Sequence, residues 1–177
     1  HIQLFSGNAE NVTERLDKGL IDFGVLIGSA DIQKYDFLSL PVRDVWGVLM
    51  RKDSPLAARE ALTPQDLSSL PLIVSSQALV QNELSGWLGY SFDQLSVVAS
   101  YNLVYNASLM VQEGCGYALT LDKLVSTGAD SPLCFRPLKP QLEAPLMVIW
   151  KKYTTFSKTA CLFLNRLREV CSEQGRG

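Results

Sequence analysis

The 177-residue chain carries 16 Lys and Arg against 18 Asp and Glu, a formal net charge of −2, and 47% of its residues are hydrophobic. That is the composition of an ordinary globular protein, long enough for one domain or two small lobes. No stretch approaches the ~18 uninterrupted apolar residues of a membrane span, the first residues lack the basic and apolar regions of a secretory signal, and no Lys or Arg lies between Arg59 and Lys123, so a third of the chain offers nothing to a phosphate backbone.

In chain order, Ile2, Leu4 and Phe5 read as a strand, and Ser6, Gly7 and Asn8 as a polar turn. Ala9, Val12, Leu16 and Leu20 fall at three- and four-residue spacing, which predicts an amphipathic helix that Gly19 ends. Phe23 to Ile27 is apolar and predicts a second strand. Tyr35 to Leu40 predicts a short strand, and Val45 to Met50 another, long enough to cross between lobes. Thr63, Pro64, Gln65 and Asp66 spell a helix start: a hydroxyl cap, a proline where no amide donor is needed, and an acid in the first turn. Leu72 to Val74 reads as a buried strand. After Ser75, Ser76 and Gln77 comes a helix with Val80, Leu84, Trp87 and Leu88 on its apolar face and Gly89 as its stop. Pro132 to Leu138 and Pro145 to Trp150 predict two more strands. A C-terminal helix follows, with a stripe of Phe156, Ala160, Phe163, Leu167 and Val170, and Ser172 to Gly177 are expected to fray. Strands alternating with helices imply an α/β fold with mostly parallel sheets.

The first unit has an echo. An apolar run from Leu95 ends at Ser100, Tyr101 and Asn102; Leu103, Ala107, Met110 and Val111 make a helical stripe; Gly114 stops it, and Tyr117 to Leu121 is apolar again. Gly19 follows Ser6 by 13 positions (19 − 6) and Gly114 follows Ser100 by 14 (114 − 100). Pro41, Asp44, Trp46, Arg51 and Lys52 likewise resemble Pro140, Glu143, Trp150, Lys151 and Lys152 in order. Related halves forming two lobes would give this pattern; so would chance likeness between two βαβ units.

The four cysteines, Cys115, Cys134, Cys161 and Cys171, lack metal-type spacing and sit in apolar surroundings. Buried reduced thiols of a cytoplasmic protein are the expectation, against disulfides. The one histidine is His1, which leaves a Ser/His or Cys/His catalytic pair with only a terminal residue to use. There is no P-loop, no dinucleotide fingerprint and no His, Cys or carboxylate cluster with metal spacing, so no cofactor is expected. What remains is a set of small polar residues at the carboxyl ends of strands: Ser6, Gly7, Asn8, Gly28, Ser29, Ser75, Ser76, Gln77, Ser100, Tyr101, Asn102 and Thr120. Ligands bind at that edge of open α/β sheets, and helix starts there present free N–H groups. Each residue taken singly also reads as a helix cap.

Several of these stretches together resemble one family. Ile2, Leu4, Ser6, Gly7 and Asn8, then Leu16, Gly19, Leu20 and Asp22, are similar to the signature strand, "G-N" turn and "L-x-x-G-x-x-D" of LysR-type transcriptional regulators. Arg51 to Ala58 resembles the family's "H-P-L-A" turn, with Ser54 in place of the histidine. Leu67 to Ile73 resembles its "dL-x-x-x-P-x-I", and Gly114 to Leu119 its glycine-rich strand. The resemblance spans essentially the whole chain. It implies an effector-binding domain of two Rossmann-like lobes, of the type II periplasmic-binding-protein kind, joined by two crossover strands with a small-molecule effector in the cleft. Carried over by position, the effector contacts are Ser6, Gly7, Asn8, Gly28, Ser29, Ser75, Ser76, Gln77, Tyr101, Asn102 and Thr120.

On that reading lobe I is roughly residues 1–42 plus 143–177 and lobe II is 43–142, hinged where Asp44 and Glu143 open the crossover strands. The family's winged helix-turn-helix, linker helix and first βα unit precede the strand that opens here, so DNA contact is expected only through an N-terminal domain outside this chain. The resemblance further implies a homodimer or tetramer in which the Ala9 to Lys18 helix packs against the Ala78 to Leu88 helix, with Arg15 and Lys18 facing Glu83. An extracytoplasmic solute-binding protein of the same fold is the alternative, and an enzyme on this fold a third reading. The cation gap predicts a neutral, zwitterionic or singly charged effector that touches Tyr101 or Asn102.

Overall fold

A computed structural model describes residues 1–28, 33–77 and 82–174. It divides into two compact units, one made of His1–Arg43 with Ala144–Gly177 and one of Asp44–Glu143.

In the first unit, helix α1 (Ala9–Asp17) begins at a reciprocal cap. The Asn8 side-chain oxygen accepts from the Asn11 N–H at 2.9 Å, and the Asn11 side-chain oxygen accepts from the Asn8 N–H at 3.4 Å. Two donors that a helix start leaves open are thereby occupied. The helix ends at Gly19, whose φ of +68° is the left-handed conformation that closes such a turn. Val12 and Leu16 of α1 pack with Leu26, Tyr35 and Ile149 into one core. Leu26 lies on strand β1 (Gly24–Ile27), which runs antiparallel to strand β7 (Glu143–Lys151), with Gly24 opposite Ile149. Trp150 follows Ile149 and so faces away from α1. There Phe23 stacks on Phe156 at 5.0 Å and meets Trp150 edge-on at 6.3 Å. Helix α5 (Lys158–Gln174) buries Ala160 and Leu164.

In the second unit, strands β3 (Leu72–Ser75), β4 (Val97–Tyr101) and β5 (Tyr117–Leu121) form the parallel heart, with β3 in the middle. Helices α3 (Asn82–Leu88) and α4 (Val104–Gln112) connect them in sequence, as parallel strands require. Strand β2 (Tyr35–Arg51) enters from the first unit and pairs antiparallel with β5 and with β6 (Leu133–Pro137). Leu49, Ile73, Ala107, Val111, Ala118 and Leu133 make the core under α4. By alternation, Leu72 and Val74 face the other way; helix α2 (Pro64–Leu67) contributes Leu67, and α3 Leu84, to the fully buried set.

Some expectations are corrected. Ile2 to Phe5 is not a strand: Ile2 and Leu4 are 80% and 90% exposed, and no described strand lies alongside to complete a ladder. Tyr35–Leu40 and Val45–Met50 are parts of the single strand β2, which absorbs Pro41 among exposed positions where a missing N–H costs little. The sheets are mixed and not mostly parallel: β2 runs antiparallel to both β5 and β6, and β7 runs antiparallel to β1. On α5 the buried positions are Ala160, as expected, and Leu164, while Phe163 is 48% exposed, and the helix continues through Ser172 to Gln174. Cys134 alone of the thiols is buried; Cys115 and Cys161 are exposed. Val80, on the predicted apolar face of the third helix, lies outside the described residues.

Gly47 marks the tightest approach in the second unit. A Cβ there would run into the Phe135 ring and the Arg136 carbonyl on β6. Gly47→Ala is expected to lose about 1–3 kcal/mol of stability in urea unfolding, the usual cost of overpacking. An unchanged midpoint would mean that β2 and β6 separate freely.

Candidate functional site

Within the second unit the carboxyl ends of β3, β4 and β5 lie side by side. Ser75 stands opposite Tyr101 in the parallel register, and Ser76 extends the ladder by donating its N–H to the Tyr101 carbonyl at 2.8 Å. Ser75 Oγ accepts from the Gln77 N–H at 3.3 Å, which turns the chain out of the strand. The Ser76 hydroxyl and the Gln77 and Asn102 amides have no hydrogen-bond partner among the described residues. Ser76 and Asn102 are exposed and Gln77 is half-buried. These side chains therefore form a short row of unengaged neutral donors and acceptors along one sheet edge.

Tyr101 does something else. Its hydroxyl donates across β3 to the Leu119 carbonyl of β5 at 2.9 Å, and burial pushes the phenol above its ordinary pKa, opposed by a hydrogen bond with the Thr120 hydroxyl. Thr120, 2% exposed, lines a hollow of about 210 Å³ with Leu49, Val125 and Phe135. Both residues stand at the predicted edge.

In the first unit Asn8 is the cap described above, and Gly7 is held against it: a Cβ on Gly7 would come 2.9 Å from Asn11 Cβ. Ser6 is exposed. Gly28 (φ +92°) donates its N–H to the Pro145 carbonyl at 2.8 Å, so this backbone donor is engaged in pairing with β7. Ser29 lies outside the described residues. Arg15 and Lys18 have contacts of their own, since the Arg15 guanidinium sits 3.8 Å from the Phe5 ring centroid and Lys18 pairs with Glu14 at 2.5 Å.

Two features escaped the sequence reading. Trp46 is 5% exposed and its indole N–H has no partner among the described residues, a group whose burial unpaired costs about 1–3 kcal/mol. The other is a charge cluster at the start of the second unit. Asp122 Oδ1 accepts from the Val45 N–H at 2.8 Å, and Lys123 (φ +62°) reaches Asp122 at 2.9 Å and Asp44 at 3.9 Å. The adjacency of Asp122 and Lys123 was visible in the sequence; the approach of Asp44 from far along the chain was not. Among the described residues no group of three or more His, Cys, Asp or Glu could hold a metal, and no helix is long and apolar enough to cross a membrane.

Burial first, and the nearby Asp122 second, hold the Asp44 carboxyl above the ordinary range, with Lys123 opposing. A carboxyl whose folded pKa is raised binds more protons in the native than in the unfolded state, so its effect on stability worsens as pH rises through the carboxylate range. Asp44→Asn is therefore expected to raise Tm by about 1–3 °C at neutral pH, a gain that fades as the pH falls below ~4. A gain independent of pH, in thermal melts across that range, would count against it.

Comparison with known proteins places these observations. Residues 1–172 match the family model of the LysR substrate binding domain. The chain is 27% identical over 169 residues to the uncharacterized HTH-type transcriptional regulator YvbU of Bacillus subtilis (strain 168), which covers 94% of this chain and 56% of that protein. It thus spans little more than half the length of this relative. Among solved structures, HinK, a LysR family transcriptional regulator from Pseudomonas aeruginosa, is similar at a TM-score of 0.78 and 19% identity, over 97% of this chain and 60% of HinK. The effector binding domain of QuiR, in complex with shikimate, is similar at 0.81 and 14% identity, over 97% of this chain and 81% of that one. The regulatory domain of Synechocystis PCC6803 CcmR, in complex with 2-PG, is similar at 0.74 and 18% identity, over 93% and 80%. Likeness at these identities shows the fold.

Proposed function

Because the chain belongs to the LysR substrate-binding domain family, we propose that it is the effector-sensing part of a LysR-type transcription regulator, with a small metabolite bound between its two units and the signal passed to a DNA-binding domain elsewhere in the protein. The observation that carries this reading is the row of unengaged polar side chains, Ser76, Gln77 and Asn102, at the joined carboxyl ends of β3 and β4. Such an edge is where an α/β sheet receives ligands. The complexes of QuiR with shikimate and of CcmR with 2-PG support it by showing domains of this fold with small molecules bound.

The residues assigned to the effector are Ser6, Gly7, Asn8, Gly28 and Ser29 from the first unit and Ser75, Ser76, Gln77, Tyr101, Asn102 and Thr120 from the second. Their parts differ. Ser76, Gln77 and Asn102 offer free side chains, whereas Tyr101 and Thr120 act through shape and through the backbone they hold. Because no Lys or Arg lies from Glu60 through Asp122, this wall suits a neutral, zwitterionic or singly charged effector; a doubly charged anion would be desolvated without a counter-charge. On this reading the regulator works as a homodimer or tetramer, bound to DNA through its other domain and carrying no cofactor or catalytic role.

In a thermal-shift screen of the full-length protein, neutral, zwitterionic and monocarboxylate metabolites are expected to raise Tm more than di- and tricarboxylates. Asn102→Ala and Ser76→Ala should each weaken the best hit by about five- to tenfold, the worth of one hydrogen bond in a closed site. Stabilisation by multiply charged anions alone rejects the ligand class, and unchanged affinity in both variants rejects the wall.

A further inference from the structure

The first unit carries a hollow of its own, about 360 Å³ and lined by Tyr35, Asp36, Phe37, Trp150, Lys152 and Arg168. It shares no residue with the effector wall proposed above. Its volume falls in the range of small-ligand sites, about 300–1,000 Å³.

Alternation along the strands explains how these side chains meet. Tyr35 and Ile149 belong to the core beneath α1, so Asp36 next to the first, and Trp150 next to the second, look to the opposite face of the sheet. Lys152, two residues beyond Trp150, shares that face. Its N–H donates to the Lys34 carbonyl at 3.1 Å, which brings it level with the start of β2. From α5 the Arg168 guanidinium comes to 5.7 Å from the Trp150 ring centroid, within cation–π range.

The charges are what point to a ligand. Asp36, Lys152 and Arg168 line one hollow, yet none of their charged ends has an ion-pair or hydrogen-bond partner among the described residues. Lys18 and Arg166 of the same unit are by contrast paired locally, with Glu14 and Glu169. The floor is aromatic, since Trp150 is 7% exposed.

We infer that this hollow is a second small-ligand site, matched to a zwitterion of the α-amino-acid class with an aromatic or bulky apolar side chain. The carboxylate of such a molecule lies between Lys152 and Arg168, its ammonium against Asp36, and its side chain on Trp150. A bare carboxylate would leave Asp36 unmatched and repelling, and a bare amine would face two cations. The zwitterion alone answers all three charges.

The test is calorimetric titration of the full-length protein with L-phenylalanine, 3-phenylpropanoate and 2-phenylethylamine as probes. Saturable binding of L-phenylalanine at millimolar concentration is expected, with the other two at least fivefold weaker. Asp36→Asn and Arg168→Gln should each weaken L-phenylalanine by about three- to fivefold, as suits exposed charge pairs, with the melting temperature unchanged in Asp36→Asn and lowered only slightly in Arg168→Gln, which gives up one cation–π contact with Trp150. Asn102→Ala should leave this binding as it is. Absence of L-phenylalanine binding overturns the site, and so does binding that is blind to both charge variants. Binding lost in Asn102→Ala but kept in Asp36→Asn moves the ligand to the effector wall, overturning this inference and supporting the other reading.

Discussion

The second unit depends on β3. Its Leu72, Ile73 and Val74 are wholly buried, and it alone bonds to parallel neighbours on both sides. A strand covered on both faces reads as an unbroken apolar run, and its polar ends are forced to the margins of the sheet. Ser75 and Ser76 stand where they do because the three residues before them admit nothing polar. The same constraint fixes the partners: once Ile73 is set opposite Ala118, and Val74 opposite Ser100 and Leu119, the ends Tyr101 and Thr120 arrive beside Ser75.

The reading of the sequence succeeded where one residue decides one conformation. Gly19, Gly89 and Gly114 all have positive φ at the ends predicted for their helices, since a left-handed stop leaves glycine as the residue without a steric cost. Asp66 accepts from both the N–H and the hydroxyl of Thr63 at 2.9 Å, so the helix starts where Thr63-Pro64-Gln65-Asp66 puts it, with the acid making the cap contacts and the hydroxyl donating to it. It failed where the outcome depends on a partner. Ile2 to Phe5 has the alternation of a strand and no neighbour to pair with. Pro41 looks like a break, because its tolerance in β2 depends on which side of the strand is unpaired. The mixed sheet was illegible for a related reason: strand direction is set by connections between distant segments, and alternation says nothing of direction.

The candidate site was legible in position more than in role. Small polar residues at strand ends could be read from the sequence, but which of them are free could not. Asn8 is engaged in a helix cap and Gly28 in a backbone bond, while Ser76, Gln77 and Asn102 keep unengaged side chains. Asn8 meets its partner three residues on, whereas for Gly28 the difference comes from Pro145, far along the chain. The same holds for Asp44, which meets Asp122 and Lys123 across a span of 78 residues (122 − 44).

The phenol of Tyr101 passes over β3 to reach β5, bracing three strands at their common end. A brace of this kind resists shear between neighbouring strands, which is the motion by which a sheet edge would adjust to a differently shaped guest. The edge it stiffens is then suited to selecting by fit, with little ordering left to do when a molecule arrives. On the function proposed above, discrimination at this wall comes from refusal: a molecule a methyl group too wide meets a framework that does not give way, and adaptability resides in other parts of the chain.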